Sequence, residues 1–298
     1  MTALAEPCTR PVVVVGDVGL DVIARPRGPV NLASGTPSNV HLAPGGAGAN
    51  SASWLAWAGM PVTLLARIGD DEAGRAARRE LESRHVRCAF ATDRVRPTCV
   101  VVVLLDASGD RTMFPDRGAN EGFGVEDVDL PGLGMEPVPV PHLHLSGYVL
   151  FDEGSRAGGL SALRQARALG WTTSVDPQAA ALIEAVGART FLEWVDGTDL
   201  LLPNERELAA LGGLRAVLAH VREVVTTYGP HGARWVGDGF EDTARAPHVD
   251  HVDATGAGDA FNAGLLSVWL SGRDRFAALR AGIEAGSTAC LRLGARPS

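Results

Sequence analysis

The chain has 298 residues, 46% of them hydrophobic, and a formal net charge of −8. This length allows a well-buried core, and the acidic balance argues against nucleic acid or an anionic membrane as the partner, because both attract clustered cations. All 27 basic residues are arginine. The usual P-loop, protein kinase, Schiff-base and pyridoxal sites are therefore excluded, since each needs a lysine. Any phosphate chemistry must use backbone dipoles, arginine and metal.

The sequence has no clear signal for secretion, for a membrane span or for a disulfide or zinc site. The N-terminal stretch MTALAEPCTRP lacks a basic region followed by a long apolar stretch, so we predict no secretory signal. The longest strongly apolar run, CVVVVLL at 99–105, is too short to span a bilayer. Four scattered cysteines, without a CxxC pair, favour reduced thiols over a disulfide framework or zinc site. We expect a soluble, cytoplasmic protein.

Short β-branched runs alternate with helical segments along most of the chain. In chain order, the predicted elements are a buried strand at 11–17, helices at 50–58, 71–84 and 155–169, strands at 171–176 and 199–203, a helix at 204–211 and a strand at 222–229. This alternation predicts a doubly wound α/β fold, in which helices flank a mostly parallel sheet. We expect one domain over residues 1–298.

Two regions interrupt the alternation. Residues 20–43 and 98–118 are extended segments with glycine, proline and serine turns, and neither is followed at once by a helix. ASGD at 107–110 indicates a hairpin turn. We expect the two regions to pair as a small antiparallel sheet that forms a lid beside the main domain.

The stretch DATGAGDAFNAG, residues 253–264, places glycines directly before an apolar helix. Gly256, Ala257 and Gly258 can present backbone N–H groups and the positive end of a helix dipole to an anion. Asp259 lies at the same site. If the bound phosphoryl group is transferred, this carboxylate can take the proton of an attacking hydroxyl, while the amides stabilise the phosphoryl oxygens.

Two other interpretations of this stretch are weaker. An aspartate often caps a helix after a glycine turn, but Asp253 and Thr255 could do that and leave Asp259 without a structural need. A dinucleotide-binding loop would require GxGxxG near the first strand. Here the motif is GAGDAF near the C-terminus.

A second glycine cluster, PGGAGANSA at 44–52, also precedes a helix. Gly45, Gly46 and Gly48 allow close approach of a ligand, and Asn50 can donate and accept hydrogen bonds at once, which suits a polyhydroxylated ligand. A tight turn that needs positive φ would explain the glycines but not Asn50.

Together, GGAGAN at 45–50 and DATGAGDAFNAG at 253–264 resemble the two signatures of the ribokinase-like (PfkB-type) carbohydrate kinases. Further matches follow in family order over essentially the whole chain: GDVGLD (16–21), RIGDDEAG (67–74), GDRT…RGAN (109–120), HLSGY (144–148), DP (176–177), PNERE (203–207), TTYGPHG (226–232) and LGARPS (293–298). The resemblance implies a ribokinase-like fold and an ATP-dependent kinase that phosphorylates a hydroxymethyl group of a sugar.

The resemblance also implies roles for matching positions. The catalytic base is Asp259, and the anion hole is Gly256, Ala257 and Gly258. The sugar-binding positions are Asp21, Gly45, Gly46 and Asn50. The nucleotide-binding turn TxGxxG is matched by Thr227, Gly229 and Gly232. Asn204 and Glu207 match an NxxE motif associated with the Mg²⁺ that accompanies ATP, although an ordinary helix start has the same pattern.

Many members of this family bind a potassium ion beside the anion hole. The positions that match this loop are Asp253, Thr255, Ala289, Arg292, Gly294 and Ser298. Such an ion needs mostly oxygen ligands, which backbone carbonyls of a Gly/Ala loop supply. In relatives the lid strands often pair between subunits, so we expect a homodimer through the lid, since CVVVVLL as an uncovered edge would invite aggregation.

Departures from the family pattern lie in the sugar pocket. Gly19 stands where ribokinase has an asparagine, Ala47 where it has a lysine, and a sugar-binding acid is replaced near 146–147. The expected acceptor is ribose or a related pentose or hexose. Alternatives are a nucleoside such as pseudouridine or adenosine, 2-keto-3-deoxygluconate, and a fructose-type sugar. From other classes, a non-catalytic sugar-binding regulator is disfavoured by the intact Asp259 and glycine loop. An NAD(P)-binding oxidoreductase, a more distant alternative, is disfavoured by the missing N-terminal GxGxxG.

Overall fold

The computed structural model describes residues 10–105, 111–136, 138–250 and 252–297. The strands in this part of the chain are β1 (Val12–Val15), β2 (Gly19–Pro26), β3 (Ser38–Gly45), β4 (Val62–Gly69), β5 (Val86–Asp93), β6 (Cys99–Leu105), β7 (Arg111–Asp116), β8 (His142–Ser146), β9 (Thr172–Asp176), β10 (Leu200–Leu201), β11 (Glu223–Thr227), β12 (Ala233–Gly237) and β13 (Phe240–Ala244). The helices are α1 (Ala47–Trp57), α2 (Glu72–Ser83), α3 (Tyr148–Phe151), α4 (Glu153–Ala168), α5 (Ala180–Val186), α6 (Ala188–Val195), α7 (Glu205–Ala210), α8 (Leu214–Leu218), α9 (Ala257–Trp269) and α10 (Arg275–Cys290).

Nine of the described strands form one large sheet in the order β13-β12-β11-β10-β9-β8-β1-β4-β5. Neighbours from β11 to β5 run parallel, and β12 and β13 add an antiparallel edge. Val12 and Val14 of β1 pack in one apolar core with α1, α9 and α10, whereas Val13 and Val15 pack in a second core with α4 to α8. Because helices cover both faces, the α/β prediction is confirmed.

The carboxyl ends of the parallel strands meet at one edge of the large sheet. Asp17 follows β1, Asp176 ends β9, Asn204 follows β10, and Thr227 ends β11. The start of α1 reaches this edge, where Gly48 N contacts Asp17, and Asn262 of α9 bonds Asp176 there. In open α/β sheets, ligands bind in the crevice outside these strand ends.

Most predicted element boundaries differ from the observed ones by a few residues, and two of the differences have a clear physical reason. The helix predicted at 50–58 begins three residues earlier, at Ala47, after Gly46 with φ 91°. The strand predicted at 199–203 covers only Leu200–Leu201. Proline offers no backbone N–H to a neighbouring strand, so Pro203 ends the ladder.

The small sheet has the order β3-β2-β6-β7. The prediction that it is antiparallel is wrong at its centre: β2–β3 and β6–β7 are antiparallel hairpins, but β2 and β6 run parallel. Both central strands leave the same edge of the large sheet, β2 after β1 and β6 after β5, and so point the same way. The hairpin turn predicted at 107–110 lies outside the described residues.

The described cysteines, Cys88, Cys99 and Cys290, are free thiols. Among the described residues, no helix combines the length and apolar character needed to cross a membrane.

Candidate active site

The start of α9 presents the Gly258 amide to a cavity, whereas Ala257 N donates to the carbonyl of Ala254. Gly256 has φ 74°, and a Cβ there would collide with the carbonyl of Ala295, so only glycine fits. No side chain caps this helix. Around Gly258 a Cβ would meet nothing within 4 Å, and among the described residues its N–H donates to no acceptor. An unfilled helix N-terminus is a site for an anion.

Asp259 lies in the first turn of α9 and is buried. Burial raises the pKa of its carboxyl to about 7, which hydrogen bonds from Ser51 and Asn50 oppose. Ser51 Oγ donates to Asp259 Oδ1 at 2.6 Å. A carboxylate with a pKa near neutrality, beside an anion site, has the properties of a general base.

A cavity of about 220 Å³ connects this helix start to the ends of the neighbouring strands. Its walls include Gly256, Gly258 and Asp259 on one side and Asn204, Glu207 and Thr227 on the other. Asn204 and Thr227 pair directly as an isolated parallel bridge. The structure therefore brings three of the predicted catalytic positions to one cavity with Asn204, Glu207 and Thr227, but not with the other predicted nucleotide positions, Gly229 and Gly232.

Glu207 has a structural role as well as a place in the cavity wall. Asn204 and Glu207 form a reciprocal capping box at the start of α7: Glu207 N donates to Asn204 Oδ1 at 3.0 Å, and Asn204 N donates to Glu207 Oε2 at 2.9 Å. The helix-start interpretation of NxxE is thus correct, and it leaves the carboxylate beside the cavity.

Asp176 is a site residue that the sequence analysis did not assign. It is buried in the same cavity, where Asn262 Nδ2 donates to its Oδ2 at 2.7 Å and Gln178 N donates to its Oδ1 at 2.9 Å. Burial, together with the carboxylates of Glu207 and Asp259, raises its pKa well above the usual value. The available signal was a polar residue directly after a buried strand, in DP at 176–177.

Asp176 and Glu207 fit a divalent cation. Burial raises the pKa of Glu207 too, and the main influences on the pKa of either carboxylate among the described residues include no cation. The described residues contain no cluster of three or more metal-ligating side chains. Two carboxylates suit Mg²⁺, which keeps several waters and takes further oxygens from nucleotide phosphates.

The predicted acceptor positions lie together between α1 and the small sheet. Asp21 of β2 packs directly against Gly45, where a Cβ would collide with its carboxylate. Burial raises the pKa of Asp21 to about 6. Gly46 must be glycine because of its φ of 91° and its contact with the backbone of Asp17. Asn50 is buried one turn into α1.

Two residues beside these positions were missed by the sequence analysis. Asp17 fills the start of α1, accepting from Ala47 N at 3.2 Å and Gly48 N at 3.1 Å. Arg296 donates to Asn50 Oδ1 at 3.0 Å and to the carbonyl of Gly45 at 2.8 Å. Arg296 lies 246 positions from Asn50, so no local pattern could have revealed it.

The predicted nucleotide turn adjoins a second cavity. Gly229 and Gly232 have φ values of 55° and 100°, and a Cβ on Gly232 would collide with the carbonyl of Ala244. Residues 243–249 and one side of α10 line a cavity of about 770 Å³. The turn therefore lies between the small cavity, which Thr227 lines, and a larger, more apolar space of the size that ligands occupy.

The predicted potassium loop is occupied by protein groups. The Asp253 carboxylate accepts from Thr255 N at 2.9 Å, from Gly294 N at 3.0 Å and from the guanidinium of Arg111, which also contacts the Thr255 hydroxyl. The carbonyl of Ala289 accepts from the N–H of Arg292. Ser298 lies outside the described residues. In this arrangement the side-chain oxygens do not fit a potassium ion, because a cation already lies against them.

Comparisons with known proteins identify the family. The sequence matches the family described as pfkB family carbohydrate kinase over residues 9–298. The chain is 32% identical to an ATP-dependent ribose-1-phosphate kinase from Halopiger xanaduensis, over 85% of this chain and 82% of that protein.

Solved structures share the fold. An adenosine kinase from Sinorhizobium meliloti superposes with a TM-score of 0.85 at 22% identity, covering 97% and 96% of the two chains. A fructokinase from Vibrio cholerae, with fructose, ADP and calcium bound, superposes with a TM-score of 0.79 at 24% identity, covering 97% and 95%. The chain belongs to the pfkB family of carbohydrate kinases.

Proposed function

We propose that this protein transfers the γ-phosphoryl group of ATP to a hydroxymethyl group of a sugar, with ribose or a related pentose or hexose as acceptor. The observation that carries the proposal is the buried Asp259, with a pKa of about 7, beside the open amide of Gly258. Family membership supplies the reaction class.

In this mechanism the acceptor hydroxyl attacks the γ-phosphorus as its proton passes to Asp259. A bond forms between the hydroxyl oxygen and phosphorus, the bond from phosphorus to the bridging oxygen breaks, and ADP leaves. The Gly258 amide stabilises charge on the transferred group, and Gly256 and Ala257 contribute the positive end of the α9 dipole. Because Asp259 is buried, its pKa is high enough for a base that works near neutral pH.

ATP would extend from the small cavity along the turn at Thr227, Gly229 and Gly232. The adenine of ATP would occupy the larger cavity against the 243–249 segment, since Gly232 contacts that segment. Asp176 and Glu207 would hold Mg²⁺. When bound, the ion neutralises phosphate charge during transfer.

The acceptor would lie against Asp21, Gly45, Gly46 and Asn50, whose oxygen and nitrogen atoms suit hydroxyl groups. A nucleoside or 2-keto-3-deoxygluconate remains the alternative. The relative named ribose-1-phosphate kinase adds a phosphorylated pentose to the candidates. Arg111 and Arg296 favour it, because both act electrostatically on Asp21 and would attract an anionic acceptor.

We propose that Arg111, rather than potassium, provides the positive charge at the Asp253 loop. Its guanidinium contacts Asp253 and Thr255, directly before the anion hole. The proposed enzyme uses ATP, and its described cysteines are free thiols, which supports a reducing, cytoplasmic location.

We also propose a homodimer through the small sheet, acting as a lid. Leu42, Val22, Val102 and Phe114 are paired neighbours across its four strands, so they form a row on one face. Leu42 is 65% exposed and Phe114 57% exposed. Asp21 lies on the opposite face, which turns toward the site. A second copy would bury the apolar row.

The dimer is tested with Leu42→Asp/Phe114→Asp by sedimentation. The variant should be a monomer where the wild type is a dimer, because a carboxylate cannot be buried unpaired. Met113→Asp is the control: Met113 is equally exposed, at 57%, but lies on the other face. A monomeric wild type would contradict the proposal.

The kinase is tested by ADP release from Mg–ATP. The acceptor panel contains ribose, ribose 1-phosphate, fructose, 2-keto-3-deoxygluconate, adenosine, cytidine and pseudouridine. Acceptor-dependent turnover should fall by about 10³-fold in Asp259→Asn, which keeps the shape but removes the base. Acceptor binding without ATP binding would instead identify a non-catalytic regulator.

A further inference from the structure

The C-terminal segment 294–296 touches three parts of the site in succession. Gly294 N donates to Asp253 at 3.0 Å, and the carbonyl of Ala295 packs against Gly256. Arg296 reaches residues 45–50, which we call the acceptor loop because the proposed acceptor lies against it. The Arg296 side chain is only 4% exposed. A guanidinium buried so deeply needs partners for its N–H groups, and the choice of partners is informative.

Two of these partners belong to the acceptor loop. Arg296 Nε donates to Asn50 Oδ1 at 3.0 Å, and Arg296 NH2 donates to the carbonyl of Gly45 at 2.8 Å. NH1 pairs with Glu80 of α2. Gly45 in turn packs against Asp21. One side chain therefore connects α2 with the loop at which an acceptor is expected.

The contact with Asn50 fixes which way its amide points. A guanidinium can only donate, so the amide must turn its oxygen to Arg296, and its NH₂ group then faces Asp259. An amide in the other orientation would place two donors together and an oxygen against the carboxylate. In the orientation that Arg296 holds, the Asn50 amide presents donors to Asp259, and this lowers the pKa of that carboxyl.

We propose that Arg296 is a positioning residue for phosphoryl transfer, which orients Asn50 toward Asp259 and the acceptor and places a positive charge behind both aspartates of the site. This rests on the proposed kinase function. The hydrogen bonds of Arg296 act on the acceptor through Asn50 and Gly45. Its charge acts on the base, Asp259, and on Asp21.

The charged and titratable groups around Asp259 oppose one another. Asp17, after β1, and Asp176, at the end of β9, add negative charge, whereas Arg296 is the cation that favours the ionised form. Ser51 and Asn50, both on α1, donate hydrogen bonds. Loss of Arg296 therefore leaves Asp259 among like charges and raises its pKa further.

The Asp259 titration can be measured without any activity. The folded protein keeps Asp259 protonated up to pH about 7, whereas its usual value is 3.8. Its contribution to the free energy of unfolding is therefore fully present below about pH 4 and is lost as pH rises through 7. The difference in unfolding free energy between wild type and Asp259→Asn, followed against pH, gives the folded-state titration midpoint.

Arg296→Met is the first variant. We expect the Asp259 midpoint to rise by roughly one pH unit, because an opposite charge is lost. Turnover with ribose, or with the panel acceptor that reacts fastest, should lose roughly 10- to 100-fold in kcat/KM as Asn50 and Gly45 lose a charged donor. In an Asn50→Ala background, Arg296→Met should add little to the kcat/KM loss, since both changes remove the same interaction.

Arg296→Lys separates the two contributions. Lysine keeps the charge but lacks the planar fork that reaches Asn50, Gly45 and Glu80 together. The Asp259 midpoint should therefore stay near that of the wild type, while the KM for the acceptor should still be higher than that of the wild type.

Arg84→Met is the matched control. Arg84 pairs with the same Glu80 and donates to the carbonyl of Pro297, so it holds the same segment without contacting the acceptor loop. This variant should shift neither the midpoint nor the acceptor KM. If Arg296→Met left the midpoint unchanged, or if Arg84→Met reproduced both effects, Arg296 would only anchor the segment and the proposal would be overturned. If no acceptor were phosphorylated but the midpoint shifted as expected, the proposed kinase function would be contradicted and the effect of Arg296 on Asp259 would not, because the midpoint does not depend on turnover.

Discussion

The two glycine-led helix starts of this protein resemble each other in sequence and differ in use. α1 begins after Gly46, with φ 91°, and α9 begins after Gly256, with φ 74°. Neither has a side-chain cap from its own N-cap residue. At α1, the carboxylate of Asp17 accepts from Ala47 N and Gly48 N, so the protein fills its own anion site. At α9, the position beside Gly258 is open.

The difference distinguishes an anion that is part of the protein, the Asp17 carboxylate, from the phosphoryl group that we propose is transferred at α9. A helix N-terminus filled by a carboxylate stabilises the fold and holds the acceptor loop in place. A helix N-terminus that is left open keeps its hydrogen-bonding capacity for a ligand. Of the two helices, only α9 has an acid, Asp259, in its first turn. The glycines are thus needed at both starts for different reasons.

Among the tests of this comparison, the largest effect is expected from adding one methyl group at each start. Gly258→Ala should fold normally, because its Cβ meets open space, but it should lose about 100-fold in kcat as the methyl group displaces the phosphoryl oxygens from the amides. ADP release and thermal unfolding measure the two quantities.

Gly48→Ala is the counterpart of that variant at α1. Its Cβ would lie 2.5 Å from Gly16 Cα, so we expect a loss of about 1–3 kcal/mol in the free energy of unfolding. If Gly258→Ala were the unstable variant and Gly48→Ala the inactive one, the assignment of the two helix starts would be reversed.

The second prediction concerns the carboxylate at α1. Asp17→Asn should lower the free energy of unfolding by about 2 kcal/mol, because two helix amides and Arg117 lose a charged acceptor. Chemical denaturation measures this loss. The KM for ATP should change little; a large increase would mean that the α1 start binds the nucleotide instead.

The third prediction concerns pH. Since the proposed base, Asp259, has a pKa of about 7, kcat/KM should fall about tenfold per pH unit well below that value and level off above it. The assay is ADP release at saturating Mg–ATP over a pH series. The residual activity of Asp259→Asn should lack this acidic limb, and a limb that persists would assign it to another group.

The smallest expected effect is that of potassium. Replacing sodium with potassium should change turnover by less than about twofold, since an ion without a site cannot shift an equilibrium. Arg111→Ala should free the Asp253 carboxylate and make turnover respond to potassium. Arg25→Ala, on the same face of the small sheet, controls for lost charge. Strong activation of the wild type would contradict the role given to Arg111.

Much of the fold follows from local sequence patterns. The β-branched runs and the glycines that end helices predicted the alternation of strands and helices, because strand pleat and helix turn impose short periods that a sequence can display. Similarly, glycine at 256 with an apolar helix behind it indicated an anion site, since positive φ is a local requirement. The parallel pairing of β2 with β6 was not predictable in this way, because it depends on where the chain leaves the large sheet.

The sequence by itself determined the fold class, the two glycine-led helix starts and the position of Asp259, since each depends on neighbouring residues. Only the tertiary structure decided what surrounds them. It placed Asp17 in the α1 start, 31 positions before Gly48, and Arg296 against Asn50, 246 positions away. It also joined Asp176 to Glu207 in one cavity and brought Arg111 to Asp253. These contacts set the charge and hydrogen bonding of the site, and they arise from chain topology rather than from local pattern.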